Sequence, residues 1–293
     1  MVEEMIQLGS VGLNVKYSLA EDKEVVVFLH FSGGNLQMWE GIIPQFAEKY
    51  SIVAPDFRGH GKSDKPETGY HIDDMAHDLY LLLQQLRIER CHLVGSSMGA
   101  EIGLSLAASH PELVLSLICE GAIYNEFGEY GLFNGTAQEI EQKKEVMLAE
   151  LSQRQERIFA NREEYVGEER TELTAQGLWN EHFQVFFENS LQQLGDGSYT
   201  YCYLNRVRSE YIQKYWDVKF EDYYRKLQCP VLFLPSAEEW ENAQIRSSLY
   251  SFAGLLERYE IERIEHSEHA YVWLLQPDEG GQTALQFINK HNG

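Results

Sequence analysis

Four short apolar runs, separated by stretches with helical spacing, constrain this chain more than any other feature. They are VVVFLH (Val25–His30), SIVAPD (Ser51–Asp56), CHLVG (Cys91–Gly95) and VLSLICEG (Val114–Gly121). None alternates apolar with polar, which is the mark of strands covered on both faces. The segments between them read as helices. NLQMWEGIIPQFAEKY puts Trp39, Ile42, Ile43, Phe46 and Ala47 on one face. DDMAHDLYLLLQQL, with Asp73 as candidate cap, spaces Met75, Leu79, Leu82, Leu83 and Leu86 for burial. MGAEIGLSLAASH is a helix rich in small residues. Strands alternating with helices imply a parallel sheet with right-handed crossovers. EEMIQLG and LNVKYSLA read as an antiparallel hairpin at one edge. The rhythm breaks after Ile123 and resumes at CPVLFLPS (Cys229–Ser236), followed by a helix near Ala243–Leu256, YEIERIE, and a last helix from about Gly280 to Lys290.

The interruption, residues 124–227, has a different texture. Charged runs such as EIEQKKEVMLAELSQRQERIF alternate with aromatic ones such as LWNEHFQVFF and SYTYCYLN. It reads as several helices without a buried parallel strand. The whole chain of 293 residues carries 24 basic and 46 acidic side chains, a formal charge of −22. Such a surface repels phosphate backbones and anionic lipid, so nucleic-acid and membrane-surface roles are not expected. No apolar run reaches the roughly 20 residues of a membrane span. MVEEMIQLG lacks the pattern of a signal peptide, so the expected location is the cytoplasm. Cys91, Cys119, Cys202 and Cys229 are widely spaced with no C-x-x-C pair, which speaks against a zinc site or a disulfide framework. No G-x-G-x-x-G is present for a dinucleotide, and His266-x-Glu268-His269 lacks the order and third ligand of a zinc motif. No cofactor and no metal are expected, and the sequence leaves monomer and dimer open.

GSSMG, Gly95 to Gly99, is a G-x-S-x-G with Ser97 at its centre. By chance alone it arises in roughly one chain of this length in ten. Its placement is more telling, because a buried strand ends at Gly95 and a helix begins near Met98, the strand–turn–helix elbow that exposes a nucleophile. With FLHFSGGNLQMW, IVAPDFRGHGKSDKP, GSSMGAEIGLSLAASHPELV, CPVLFLPSAEE and SEHAYVWLLQPDE in that order, the chain resembles the α/β-hydrolases of the lipase, esterase and C–C-hydrolase type over nearly its full length. The resemblance implies an α/β fold: a mostly parallel, twisted central sheet of about eight strands with flanking helices and an inserted helical cap. Residues 1–123 and 228–293 would form the core and residues 124–227 the cap, with some cap aromatics lining an apolar substrate cavity.

A serine hydroxyl needs a base, and the base an orienting acid. The chain order of this fold is Ser, then Asp or Glu, then His. Of the downstream histidines, His182 lies in the insertion, His291 at the end of the chain and His266 in a loop position. His269, ahead of AYVWLLQP, is the expected base. Counting the family pattern from Pro230 places the acid on Glu239, with Glu120 and Glu238 as alternatives in that order. The oxyanion donors implied by the resemblance are the backbone N–H groups of Met98 and Ser32. Three positions depart from the family's usual glycine: Phe31, Ser236 and Glu268. PDFRGHGKSD, with Asp56, Arg58, His60 and Asp64, is read as a structural brace. The serine at the elbow argues against the branches that use an aspartate nucleophile. The expected activity is a serine hydrolase forming an acyl-enzyme from an ester or related acyl substrate that is a small molecule with an apolar portion. A C–C bond hydrolase or lactonase is the enzymatic alternative, and a ligand-binding protein of low or no activity is the alternative of another class.

Overall fold

The computed structural model describes residues 1–292. Eight strands form the central sheet: β1 (Val2–Leu8), β2 (Val11–Ser18), β3 (Val25–Leu29), β4 (Ser51–Pro55), β5 (Cys91–Ser96), β6 (Val114–Glu120), β7 (Val231–Phe233) and β8 (Tyr259–Ile261). Their order is β1-β2-β4-β3-β5-β6-β7-β8. β1 and β2 form the expected edge hairpin and β2 runs antiparallel to β4, while every pairing from β4 through β8 is parallel.

The apolar runs are continuous because both faces of the sheet are covered. Along β3, Val27 and Leu29 pack with Leu79, Leu82 and Leu83 of the helix α1 (Ile72–Gln85) and with Ile102 of α2 (Met98–Ser109). Val26 and Phe28 point the other way, into a core with Trp39, Phe46, Trp273 and Phe287. Burying such side chains contributes on the order of 1.5–3 kcal/mol each.

Between β6 and β7, which are neighbours in the sheet, the chain leaves to build α3 (Ala137–Ser152), α4 (Arg162–Ala175), α5 (Glu181–Glu188) and α6 (Asn205–Tyr215). It then returns for α7 (Ala243–Ala253) and α8 (Pro277–Lys290). Two pairs of three-residue strands also form there, Asn125–Phe127 with Gly131–Phe133 and Leu191–Gln193 with Tyr199–Tyr201. The sequence reading had only helices in that stretch; strands this short leave no period to read.

Two other readings are corrected. The helix expected over NLQMWEGIIPQFAEKY is two single turns, Leu36–Trp39 and Ile43–Phe46. A Cβ on Gly41, between them, would lie 2.7 Å from the His182 ring, and Pro44 has no N–H to continue a helical ladder. The cap of α1 is His71, whose side chain accepts from the Asp73 N–H, rather than Asp73 itself. Among the described residues no helix is long and apolar enough to cross a membrane.

Candidate active site

The carboxyl ends of β5, β6 and β7 lie side by side, and the site is built there. Register pairs Ser96 with Glu120 and Phe233 with Cys119. The residues that follow each strand therefore meet, as is usual for parallel sheets. Ser97 caps α2 with φ 49° and ψ −117°, a conformation that a side chain adopts only when its surroundings enforce it. The enforcement is visible at two glycines. A Cβ on Gly99 would sit 2.1 Å from the Leu29 carbonyl oxygen, and one on Gly121 (φ +111°) would lie 2.7 Å from the Ser97 Cα. Strand, elbow and helix approach one another more closely than alanine allows.

His269 Nε2 lies 3.0 Å from Ser97 Oγ. On the far side of the ring, Nδ1 is 3.0 Å from Glu120 Oε1 and 3.1 Å from Glu239 Oε1. Neither contact is aligned as a good hydrogen bond, and Nδ1 and both Oε1 atoms are buried without a well-formed partner. Each carboxylate is anchored through its other oxygen. Glu120 Oε2 accepts from the Ser96 hydroxyl. Glu239 Oε2 accepts from the Ser236 N–H at 2.9 Å, while Ser236 Oγ accepts from the Glu239 N–H at 3.3 Å, a capping box. The serine that departs from the family's glycine thus positions the Glu239 carboxylate. Glu238, one residue earlier, is exposed and is not brought to His269.

The two glutamates differ in electrostatics. Burial pushes the Glu120 carboxyl up, and His269 only partly offsets it. Burial acts on Glu239 in the same sense, but the His269 contact and the Ser236 N–H outweigh it and hold this carboxyl below its ordinary range. For His269, burial opposes protonation, yet the two carboxylates, Glu120 foremost, hold the imidazole well above the usual histidine value. Glu120, Glu239 and His269 are the one grouping of metal-ligating side chains found among the described residues. A cation there would need the Nδ1 lone pair, moving the ring proton to Nε2 and leaving no acceptor facing Ser97.

The loop after β3 carries Ser32. His30 Nε2 accepts from the Phe57 N–H at 3.0 Å, which fixes the tautomer and lets Nδ1–H donate to the Phe31 carbonyl at 2.8 Å. The Gly34 N–H donates to the same oxygen at 2.8 Å. Phe31 does not have a positive φ; Gly33 takes that conformation at +89°. Glycine is therefore not required at Phe31, whose ring packs 5.5 Å from Phe186 and 5.8 Å from Tyr271. Ser32 Oγ and the Tyr203 hydroxyl are 2.7 Å apart. Asp56 accepts from the Leu36 and Lys62 N–H groups and from Asn14, and Arg58 holds Asp78 through two nitrogens, so PDFRGHGKSD is a brace beneath the site.

A cavity of about 450 Å³ opens over Ser97 and His269, walled by Tyr124, Tyr211 and Trp216 among others. A second, of about 480 Å³, lies beside it against Phe31, Tyr165, Phe187 and Tyr201. Several aromatics of the inserted segment thus face space, while Phe159 and Phe183 are fully buried core. Sequence reading missed Glu101, which lines the first cavity and accepts from the Tyr211 hydroxyl at 2.7 Å. Its one signal was position, four residues after Ser97 on the helix and so on the same face. Gly121, Tyr203 and Arg208 carried no signal at all.

Comparison with known proteins agrees with the fold. The family profile described as alpha/beta hydrolase fold matches residues 24–274. The chain is 33% identical over 117 residues to 2-(acetamidomethylene)succinate hydrolase of Mesorhizobium japonicum, covering 40% of this chain and 41% of that protein. It is 34% identical over 110 residues to 3-oxoadipate enol-lactonase 2 of Acinetobacter baylyi, covering 38% and 41%. The matched stretch thus spans about two fifths of the length of these curated relatives. The crystal structure of E-2-(acetamidomethylene)succinate hydrolase superposes with a TM-score of 0.77 at 21% identity, covering 98% of this chain and 99% of that one, a likeness of fold. On its sheet order, its strand–turn–helix elbow and a profile match over most of its length, the chain belongs to the alpha/beta hydrolase fold family.

Proposed function

We propose that the protein is a serine hydrolase that cleaves an ester or related acyl substrate through an acyl-enzyme. The observation that carries this reading is His269 Nε2 at 3.0 Å from Ser97 Oγ, with carboxylates behind Nδ1. Ser97 gives its proton to Nε2 as Oγ bonds to the substrate carbonyl carbon. The N–H groups of Met98, at the head of α2, and of Ser32 receive the negative charge that develops on oxygen. His269 then passes the proton to the leaving group as its bond breaks. Water attacks the acyl-enzyme with His269 again as base, releasing the acid and restoring Ser97. Glu239 is the orienting acid, since its surroundings keep it ionised. Glu120 is a second carboxylate on the same nitrogen.

Residues 124–227 act as a cap, supported by the aromatic residues they contribute to the cavity over Ser97. The substrate is a small molecule with an apolar portion that those rings receive. A lactone is an internal ester and falls within the same chemistry, in keeping with the enol-lactonase relative. A panel of 4-nitrophenyl esters of increasing chain length tests the reading. Turnover of at least one member, lost by about 10⁴-fold or more in Ser97→Ala, supports it; equal turnover by the variant refutes it.

A further inference from the structure

Arg208, on α6, is placed unlike the other arginines that the fold uses. Arg58 grips Asp78 with two nitrogens, Arg157 meets Glu168 at 2.8 Å, and Arg206 donates to the carbonyls of Pro66 and Lys65. The half-buried guanidinium of Arg208 has no carboxylate, carbonyl or hydroxyl acceptor among the described residues, nor does it lie over an aromatic ring. Burial, and then the charge of Arg154, push its pKa down, yet a guanidinium stays charged at any physiological pH. A guanidinium beside a cavity with no protein partner is free to pair with an anion that enters it.

Its position says where that anion would sit. Ser32 and Arg208 are the residues that line both cavities, so Arg208 stands at the threshold between them. Ser32 also carries one of the two proposed oxyanion donors, and its hydroxyl is tied to Tyr203, a residue of the second cavity. None of the acids in the walls pairs with Arg208. Glu101 is taken by Tyr211 and pushed up to about 7 by burial, and burial also raises Glu126 and Glu169. Arg154 and Arg157 also line the second cavity, but Arg208 is the one cation shared by both, and its planar fork has no protein partner among the described residues.

We propose that Arg208 anchors a carboxylate of the substrate, so that the acyl compound cleaved at Ser97 is an anionic ester or lactone rather than a neutral one. This rests on the serine-hydrolase reading and deepens it. The carboxylate lies at the threshold, held by the planar guanidinium fork, while the scissile carbonyl reaches Ser97 in the first cavity and the remainder occupies the aromatic walls.

Two matched ester pairs test the proposal, one for each side of the scissile bond. Mono-4-nitrophenyl adipate is compared with 4-nitrophenyl hexanoate, and 4-acetoxybenzoate with its methyl ester. The expected result is that wild-type protein prefers the anionic member of at least one pair in kcat/KM. That preference should fall about ten- to a hundredfold in Arg208→Met, chiefly through KM, with Arg208→Lys between. The readout is a ratio on one protein sample, so a partly folded variant does not mimic the effect. An anionic-to-neutral ratio that is the same in wild type and Arg208→Met, or no anionic preference in either pair, overturns the carboxylate anchor. Labelling of Ser97 by a fluorophosphonate is run alongside. Normal labelling with an unchanged ratio overturns the anchor alone, whereas absent labelling overturns the hydrolase reading and the anchor together.

Discussion

At His269 Nδ1, two glutamates from different strand ends meet one ring nitrogen, although one acid suffices to fix an imidazole tautomer. Glu239 is held ionised while burial raises Glu120, so replacing each with glutamine should have different effects. Glu239→Gln removes the orienting anion and should lower kcat by about 10²- to 10⁴-fold. Glu120→Gln leaves the Glu239 anion on Nδ1 in place and should keep most activity at neutral pH. It should also move the acid limb of the kcat/KM profile. An anion beside the imidazole favours its protonated form and raises its pKa, which removes the free base at higher pH. Taking that anion away lowers the His269 pKa, so the limb shifts to lower pH. Full pH–rate profiles of both variants check this; a greater loss in Glu120→Gln than in Glu239→Gln would reverse the assignment. Counting along the family pattern pointed to Glu239 but could not show that Glu120 reaches the same nitrogen. That meeting depends on the β5–β6–β7 register, which is not a local property of either segment.

The elbow between β5 and α2 is the element on which the site rests. A Cβ at Gly99 would overlap the Leu29 carbonyl, and backbone cannot swing aside as the end of a side chain can. Gly99→Ala should therefore push α2 off β3, destabilising the fold by about 3 kcal/mol or more and displacing the Met98 N–H from its proposed oxyanion position. Thermal unfolding together with residual esterase activity measures both effects; a melting temperature and activity equal to wild type would contradict the packing argument. This element was legible in the sequence because everything that defines it is local: an apolar run, two glycines around a serine, then small helical residues. The segment after β3 was not, since the break near Gly41 depends on His182, distant in sequence, and on the packing of their surfaces. The three-residue strands of the inserted segment were missed for a different reason. They are shorter than any period that could announce them.

Across the whole molecule, the net charge of −22 means that like charges crowd one surface. Self-repulsion of this kind destabilises a compact state and is screened over about 10 Å at 0.1 M salt. Melting temperature should rise as sodium chloride is added from low ionic strength to roughly 0.3 M, where the screening length has shortened further. A scan showing a steady fall would mean that attractive surface pairs outweigh the repulsion. Fold class and the sheet edge hairpin were readable from one chain, and motif order singled out Ser97 and His269, which the fold brings together, because strand periodicity and motif order survive without coordinates. Arg208 and Tyr203 were not, since nothing in a charged, aromatic stretch marks which side chains face a cavity. The central claim is that Ser97 is a nucleophile activated by His269, and one measurement addresses it directly: intact mass after incubation with a fluorophosphonate, for wild type and Ser97→Ala. The account predicts a single adduct on the wild type and none on the variant. No adduct on the wild type, or the same adduct on both, would contradict it.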